Sequence, residues 1–279
     1  MKILLHLGFP KTMSSTLQFG LFKSLEKKGL VNLRTWRKND PNEGLDARPS
    51  SRLFNYQKIP KKYLDFKEET LNILSDESFT APLKLRRNNY GINIKDPFLF
   101  PNDLKVQIFS HYGEDVEIIP LIIIRNQVDL IFSQYVEEYN LKKYKDIDLL
   151  FNEKKEINLE GFEIYNFFKY INILESVFDK KNINIFLFED FTYNFDTSCE
   201  RLAKIMEQES SLVKSLLSSS HVNKKKKTDK GYFTKDGETL IPFLSNKQKK
   251  EIRFFFKEDN NKLMHQSNIN SEYIKKHYL

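Results

Sequence analysis

The stretch HLGFPKTMSSTLQ, His6–Gln18, decides the fold. Ahead of it KILLHL, Lys2–Leu7, is an apolar run of the length of a short buried strand. Behind it STLQFGLFKSLEKKG, Ser15–Gly29, sets Leu17, Leu21, Phe22 and Leu25 on one helical face and closes on a glycine, the residue that ends helices most readily. A strand that breaks into a lysine-and-hydroxyl turn and then opens a helix collects backbone N–H groups and a positive dipole end at one point. Such a point binds phosphate or sulfate.

Working outward, further apolar runs alternate with helical patterns. TLNILS (Thr70–Ser75), EIIPLIIIR (Glu117–Arg125) and NINIFLFE (Asn182–Glu189) read as strands. Between them Glu160–Lys180 reads as a long helix with Phe162, Tyr165, Phe168 and Phe178 on its apolar face. SNKQKKEIRFFFKEDNNKL, Ser245–Leu263, reads as a helix capped by Ser245. The alternation predicts an α/β fold, a central mostly parallel sheet flanked by helices on both sides, with ligand bound at the C-terminal ends of the strands. Residues 1–279 read as a single domain. Residues 37–62, polar and with three prolines, read as a loop or insertion beside the site, and 221–279 as a basic loop followed by a helix.

The second informative stretch is PLIIIRNQVDLIFSQY, Pro120–Tyr135. Its strand ends on Arg125, and Ser133 follows eight residues later, about two turns into the next helix. An arginine at that end of a strand points into the crevice where open α/β sheets bind ligands, and its planar fork suits phosphate. The alternative is a structural salt bridge from Arg125 to Asp129 or Glu137.

Composition limits the function classes. The chain has 45 Lys and Arg against 38 Asp and Glu, a net charge of +7, with the signs mostly interspersed. The exceptions, KLRRNN (Lys84–Asn89) and NKKKKTDK (Asn223–Lys230), are candidate polyanion contacts or solvated loops. No helix-turn-helix, zinc-finger or RNP-type sequence accompanies them, so no specific nucleic-acid partner is expected. The one cysteine, Cys199, excludes an internal disulfide framework and a cysteine-based metal cluster. No apolar run approaches the roughly 18 residues of a membrane span, and a strand starting at Lys2 leaves no room for a signal peptide. The expectation is a soluble cytoplasmic protein, and the leaning towards Lys, Asn, Ile and Phe suggests an AT-rich, bacterial genome.

Taken together these segments resemble the sulfotransferases that use 3′-phosphoadenosine 5′-phosphosulfate (PAPS). Pro10-Lys11-Thr12-Met13-Ser14-Ser15-Thr16-Leu17-Gln18 stands where that family has a phosphosulfate loop, commonly P-K-T-G-T-T-x-L-Q, and Arg125 with Ser133 matches its later signature. IFLFEDF and a terminal helix with EDNNKL are further echoes. The resemblance implies a P-loop NTPase-like fold and transfer of a sulfuryl group to an acceptor hydroxyl, leaving adenosine 3′,5′-bisphosphate (PAP), with no metal. It implies that Lys11 contacts the phosphosulfate and stabilises the leaving oxygen, and that the loop Thr12, Met13, Ser14, Ser15 and Thr16 binds the 5′-phosphate. Arg125 and Ser133 would bind the 3′-phosphate, and Lys230 and Gly231 fall where the family closes a basic loop over the nucleotide. One departure stands out: Met13 occupies the usual glycine position, which matters if the loop needs a positive φ there.

The base that takes the acceptor proton is a Glu or a His in this family. NILSDESF puts Glu77 and Asp76 just after the second core strand, with one of the two expected to cap the following turn. His111 and Glu138 are further candidates, and His6, inside the first strand, reads as a packed core histidine. The loop form and that acidic position resemble the carbohydrate-modifying and bacterial members of the family more than the phenol and steroid enzymes, which use a His, and the resemblance implies a carbohydrate acceptor, a glycan or polysaccharide. Two other classes compete: a sulfotransferase-like protein that only binds nucleotide or polyanion, and a P-loop kinase or NTPase. The latter requires glycine before the lysine, where Pro10 stands, and an acidic magnesium ligand, for which Glu189 and Asp190 are the candidates. Oligomeric state and acceptor identity are open at this level.

Overall fold

The computed structural model of the chain describes residues 1–36, 48–90, 93–140, 150–151, 156–219, 228–234, 237, 239–266 and 269–279, with backbone only at 87–90 and 140. Five strands, β1 (Lys2–His6), β2 (Val31–Thr35), β3 (Leu71–Ser75), β4 (Glu117–Ile124) and β5 (Asn184–Leu187), form one sheet in the order β2-β3-β1-β4-β5. Every neighbouring pair is parallel. Leu4 at the centre of β1 faces Ile73 on one side and Ile119 on the other.

The strands read as unbroken apolar runs because both sheet faces are covered. Ile3, Leu5, Ile122 and Ile124 enter one core with α4 (Phe100–Tyr112), α5 (Gln127–Asn140), α6 (Phe167–Val177) and α10 (Asn246–Leu263). Leu4, Ile73, Leu121 and Ile123 enter the other with α1, α8 (Phe195–Ile205) and α9 (Ser210–Ser219). Here α1 is π-wound over Thr16–Phe22 and α-helical over Lys23–Lys27. The predicted α/β class and parallel sheet are thus the observed ones.

Topology fixes where a ligand can enter. The chain leaves β1 towards β2 at one edge of the sheet and leaves β4 towards β5 at the other. A crevice opens between the C-terminal ends of β1 and β4, where loops depart in opposite directions.

Three local expectations need correction. The edge strand β2 was not expected. Residues 48–62 are not simply a polar loop: α2 (Pro49–Phe54) and a 3₁₀ turn at Lys61–Leu64 put Leu53, Phe54, Tyr63 and Leu64 into the first core, while 37–47 lie outside the described residues. Glu160–Lys180 is not one helix, because Gly161 turns the chain at φ +81°, a 3₁₀ turn follows at Glu163–Tyr165, and α6 starts only at Phe167. The C-terminal helix starts as expected: Ser245 accepts from Gln248 N–H and the Gln248 side chain accepts from Ser245 N–H, a capping box.

Candidate functional site

The loop after β1 is built around one carbonyl. Phe9 O accepts from the Thr12 N–H (3.3 Å), the Thr12 hydroxyl (2.6 Å) and the Ser14 hydroxyl (3.0 Å). Thr80 braces it from β3's side by donating to Gly8 O at 2.5 Å. Gly8 itself is required by contact, since a Cβ there would lie 2.6 Å from His6 Nε2 and 2.8 Å from Ser14 Oγ. Lys11 and Met13 both have positive φ, 67° and 59°, with Thr12 between them. Left-handed residues alternating with ordinary ones turn successive N–H groups to one side and form an anion-binding concavity. The helix then starts at once, Leu17 N–H donating to Met13 O at 3.0 Å.

Thr12 and Ser14 are buried, and their hydroxyls hold the loop, whereas Lys11, Met13, Ser15 and Thr16 are half-buried at its surface. Met13 leans on the second core. So the methionine at the glycine position carries the left-handed conformation that glycine adopts without strain.

Arg125 comes from across the crevice. Its Nη1 donates to Lys11 O at 3.0 Å, and its guanidinium lies 4.4 Å from the centre of the Phe188 ring. The alternative reading, an ion pair from Arg125 to Asp129 or Glu137, is not found among the described residues; Glu137 sits 3.5 Å from Lys11 Nζ instead. Asn126, next in sequence, caps α5 by accepting from Val128 N–H (2.9 Å) and Asp129 N–H (3.3 Å). Arg125 is therefore fixed at both its backbone and its tip.

A cavity of ≈ 320 Å³ opens beside it, lined by Arg125, Ser133, Phe132, Tyr232, Phe243 and Lys249, with Asp129 at its exposed side. Its aromatic wall is built by a hairpin, β6 (Gly231–Phe233) against β7 (Leu240–Pro242), which puts Tyr232 and Phe243 5.6 Å apart and Phe243 6.0 Å from Phe132. Arg125 and Ser133 thus share one cavity, as their spacing suggests. Lys230 and Gly231 are not in its lining: Lys230 is exposed, and Gly231 is buried in the hairpin, where a Cβ would fall 2.1 Å from Ile241 O. Tyr232, Phe243 and Lys249 were missed by sequence reading: Tyr232 and Phe243 belong to a hairpin whose three-residue strands carry too short a pattern, and Lys249 is one of several lysines on α10, with nothing local to set it apart.

The two carboxylates after β3 differ in kind. Asp76 has no side-chain exposure; it accepts from Arg48 Nε and Nη2 at 2.8 Å, from Ser50 N–H at 3.0 Å and, as the cap of the next turn, from Ser78 N–H at 2.9 Å. Glu77 is 30% exposed and lies 3.9 Å from Arg48. Arg48 also lies 5.1 Å from the Trp36 ring, and Arg86 donates to Ser78 Oγ at 2.6 Å. Lys84 donates to Asn158 O at 3.2 Å, so two basic residues of KLRRNN contact protein; the side chains of 87–89 and residues 223–227 of the second basic run lie outside the described ones.

The remaining candidates separate by position. His111 is exposed at the end of α4, which leads back to the start of β4, so it lies towards the N-terminal ends of the strands, away from Lys11 at the C-terminal end of β1. Glu138 accepts from Gln134 at 2.8 Å on α5. His6 is fully buried, with Nδ1 2.7 Å from Ser75 Oγ, and burial pushes its pKa down to about 4, so the ring is neutral. Glu189 accepts from Asn126 N–H (3.0 Å) and Tyr278 O–H (3.3 Å), and its burial raises its pKa. Among the described residues no three His, Cys, Asp or Glu side chains converge as a metal site, and no helix is long and apolar enough to cross a membrane.

No protein-family model matches the chain, and no curated protein matches it. Solved structures do. A sulfotransferase from Alicyclobacillus acidocaldarius superimposes with a TM-score of 0.57 at 12% identity, covering 98% of each chain. A mouse sulfotransferase complexed with PAP aligns over 100% of this chain and 89% of its own, with a TM-score of 0.48 at 11% identity. Retinol dehydratase in complex with androsterone and inactive cofactor PAP aligns over 92% and 80%, with a TM-score of 0.44 at 11% identity. By the first of these likenesses the chain has the sulfotransferase fold.

Proposed function

We propose that this protein transfers a sulfuryl group from PAPS to a hydroxyl of a carbohydrate acceptor. The observation that carries the reading is the junction of its two anion-binding parts: the concave loop at Lys11 and the strand-end Arg125 meet through one 3.0 Å hydrogen bond, with Ser133 in the adjoining cavity. Two anion sites a short distance apart suit a nucleotide phosphorylated at both 5′ and 3′ positions. The aromatic wall of Phe132, Tyr232 and Phe243 offers faces for its purine.

In this reading Ser15, Thr16 and the N–H groups of the loop hold the 5′-phosphate, while Arg125, Ser133 and Lys249 hold the 3′-phosphate. Glu77 takes the proton from the acceptor hydroxyl as its oxygen attacks sulfur. The S–O bond to the 5′-phosphate breaks, and Lys11 stabilises the charge left on the departing oxygen, help whose loss commonly lowers rate by roughly 10²–10³-fold. Asp76 holds Arg48 and the turn, which leaves Glu77 as the better-placed base. The acidic position after β3 supports a sugar acceptor. Kinase chemistry is disfavoured by Pro10 before the lysine and by Glu189, whose oxygens already serve Asn126 and Tyr278.

The test is calorimetric binding of PAP and of ADP without metal, to the wild type and to Arg125→Ala, with transfer of labelled sulfate from PAPS as the turnover readout. PAP should bind tighter than ADP, and the variant should lose about 10²-fold for PAP, as expected for one or two charge-assisted hydrogen bonds of about 1.5–3 kcal/mol each, with little change for ADP. Equal losses for the two nucleotides would sink the assignment of Arg125. Tight PAP binding without transfer to any sugar would leave a nucleotide-binding protein only.

A further inference from the structure

Lys11 is held at both ends by the segment that follows β4. Arg125 binds its carbonyl at 3.0 Å, and Glu137, one turn beyond Ser133 on α5, lies 3.5 Å from its ammonium. Both partners of the second contact are only partly exposed, 21% for the Lys11 side chain and 24% for Glu137, so water screens the pair incompletely. Ser133 and Glu137, four residues apart, share a face of α5, and Ser133 belongs to the cavity beside Arg125. Glu137 thus reaches the ammonium from the same helix face that lines the nucleotide cavity.

We propose that Glu137 is a positioning residue that acts as an internal stand-in for the ligand's anion, holding Lys11 over the crevice when no nucleotide is bound and competing with the 5′-phosphate for it. The inference rests on the sulfuryl-transfer reading above. A carboxylate so close to the phosphate-binding ammonium has two effects. It keeps Lys11 extended in a defined place, and it weakens the binding of any anion that must share or displace it, product PAP included. The competition therefore favours release of a product that two anion sites would otherwise retain.

The test uses PAP as the probe and calorimetry on the full chain. Glu137→Gln should bind PAP about three- to tenfold tighter than the wild type, the scale expected for removing a partly exposed ion pair and a nearby like charge. Glu137→Asp, which keeps the carboxylate, should stay near the wild type. On a Lys11→Ala background the gain from Glu137→Gln should shrink to about twofold or less, because the two side chains act on the ligand through each other. Should Lys11→Ala melt early, Lys11→Met, which keeps the apolar stem, replaces it. Unchanged or weaker PAP binding by Glu137→Gln overturns the proposal, and so does a gain of the same size without Lys11, which would mean plain repulsion through space. If the wild type fails to prefer PAP over ADP, or Arg125→Ala leaves PAP binding intact, the underlying functional reading fails whatever Glu137→Gln does.

Discussion

Replacing Met13 tests the left-handed backbone of the loop after β1. Met13 has φ 59° and is half-buried against the second core, so two opposed terms act on it. The left-handed conformation costs an L-residue roughly 1–2 kcal/mol. Met13→Gly removes that strain, costs about 0.5–1 kcal/mol in backbone entropy, and forfeits roughly 1 kcal/mol of half-complete side-chain burial. These terms nearly cancel, so Met13→Gly should melt close to the wild type. Met13→Ala loses the same packing and keeps the strain, and should fall about 1 kcal/mol below, roughly 2–4 °C in a chain of this size. Met13→Val, β-branched at positive φ, should be lower still.

The assay is urea unfolding of the three variants, repeated with saturating PAP. The order Gly above Ala above Val is the signature, since at an ordinary helical position glycine is less stable than alanine by about 1 kcal/mol. Alanine equal to or better than glycine would refute the left-handed assignment, and with it the concave loop. If the glycine variant also binds PAP no worse than the wild type, methionine is tolerated at this position through conformation, with no direct part in holding the phosphate.

Two further outcomes follow from the site's surroundings. Arg48→Ala strips two charge-assisted bonds from a carboxylate with no exposure, Asp76, and should destabilise the fold by about 3 kcal/mol in urea, with Arg48→Lys intermediate; a loss under about 1 kcal/mol would show that Ser50 and Ser78 alone suffice for Asp76. His6, with its pKa lowered from 6.5 to about 4, stays neutral in the folded chain while the unfolded chain takes up a proton below 6.5. Stability is therefore full above pH 6.5 and falls by about 3 kcal/mol as pH drops to 4, at about 1.4 kcal/mol per unit; in His6→Gln that slope should disappear from the pH dependence of urea unfolding, and an unchanged slope would exclude His6 as its source.

The parts of this fold that were legible in sequence are those where one physical constraint dominates a contiguous stretch. β1, β3 and β4 are apolar because both faces of a covered parallel sheet are dry, and the loop at Lys11 declares itself by interrupting such a run. β2 did not, because Val31 and Leu33 are flanked by Asn32, Arg34 and Thr35, whose polar groups are satisfied only by distant partners: Asn32 by Asn72 at 2.7 Å, Arg34 by Asp65 and Thr35 by Ser75 O. The same limit governs the site. Lys11, Arg125 and Ser133 are marked by local spacing. Arg48 beside Asp76, Glu137 beside Lys11 and the aromatic hairpin over the cavity are pairings between segments far apart in sequence, and no local pattern requires them.

Those distant pairings converge on the start of α5, and that placement explains how a site with few local restraints is kept in register. Asn126 N–H is tied to Glu189 at the end of β5, and its side-chain amide donates to the His277 carbonyl near the C-terminus. Gln127 forms a reciprocal amide pair with Asn260 of α10, at 2.8 and 3.2 Å, and Asn260 in turn donates to the Tyr278 carbonyl at 3.1 Å. Tyr278 closes the circuit by donating to Glu189 at 3.3 Å. Every member is buried or nearly so, which makes each bond stronger than its counterpart in water and makes the loss of any one leave an unpaired polar group. Arg125 precedes this network by one residue, and Ser133 and Glu137 follow it on the same helix. The placement of Arg125 relative to Ser133 and Glu137 is therefore tied to where α10 and the C-terminal residues hold α5, so those residues would support the proposed nucleotide site.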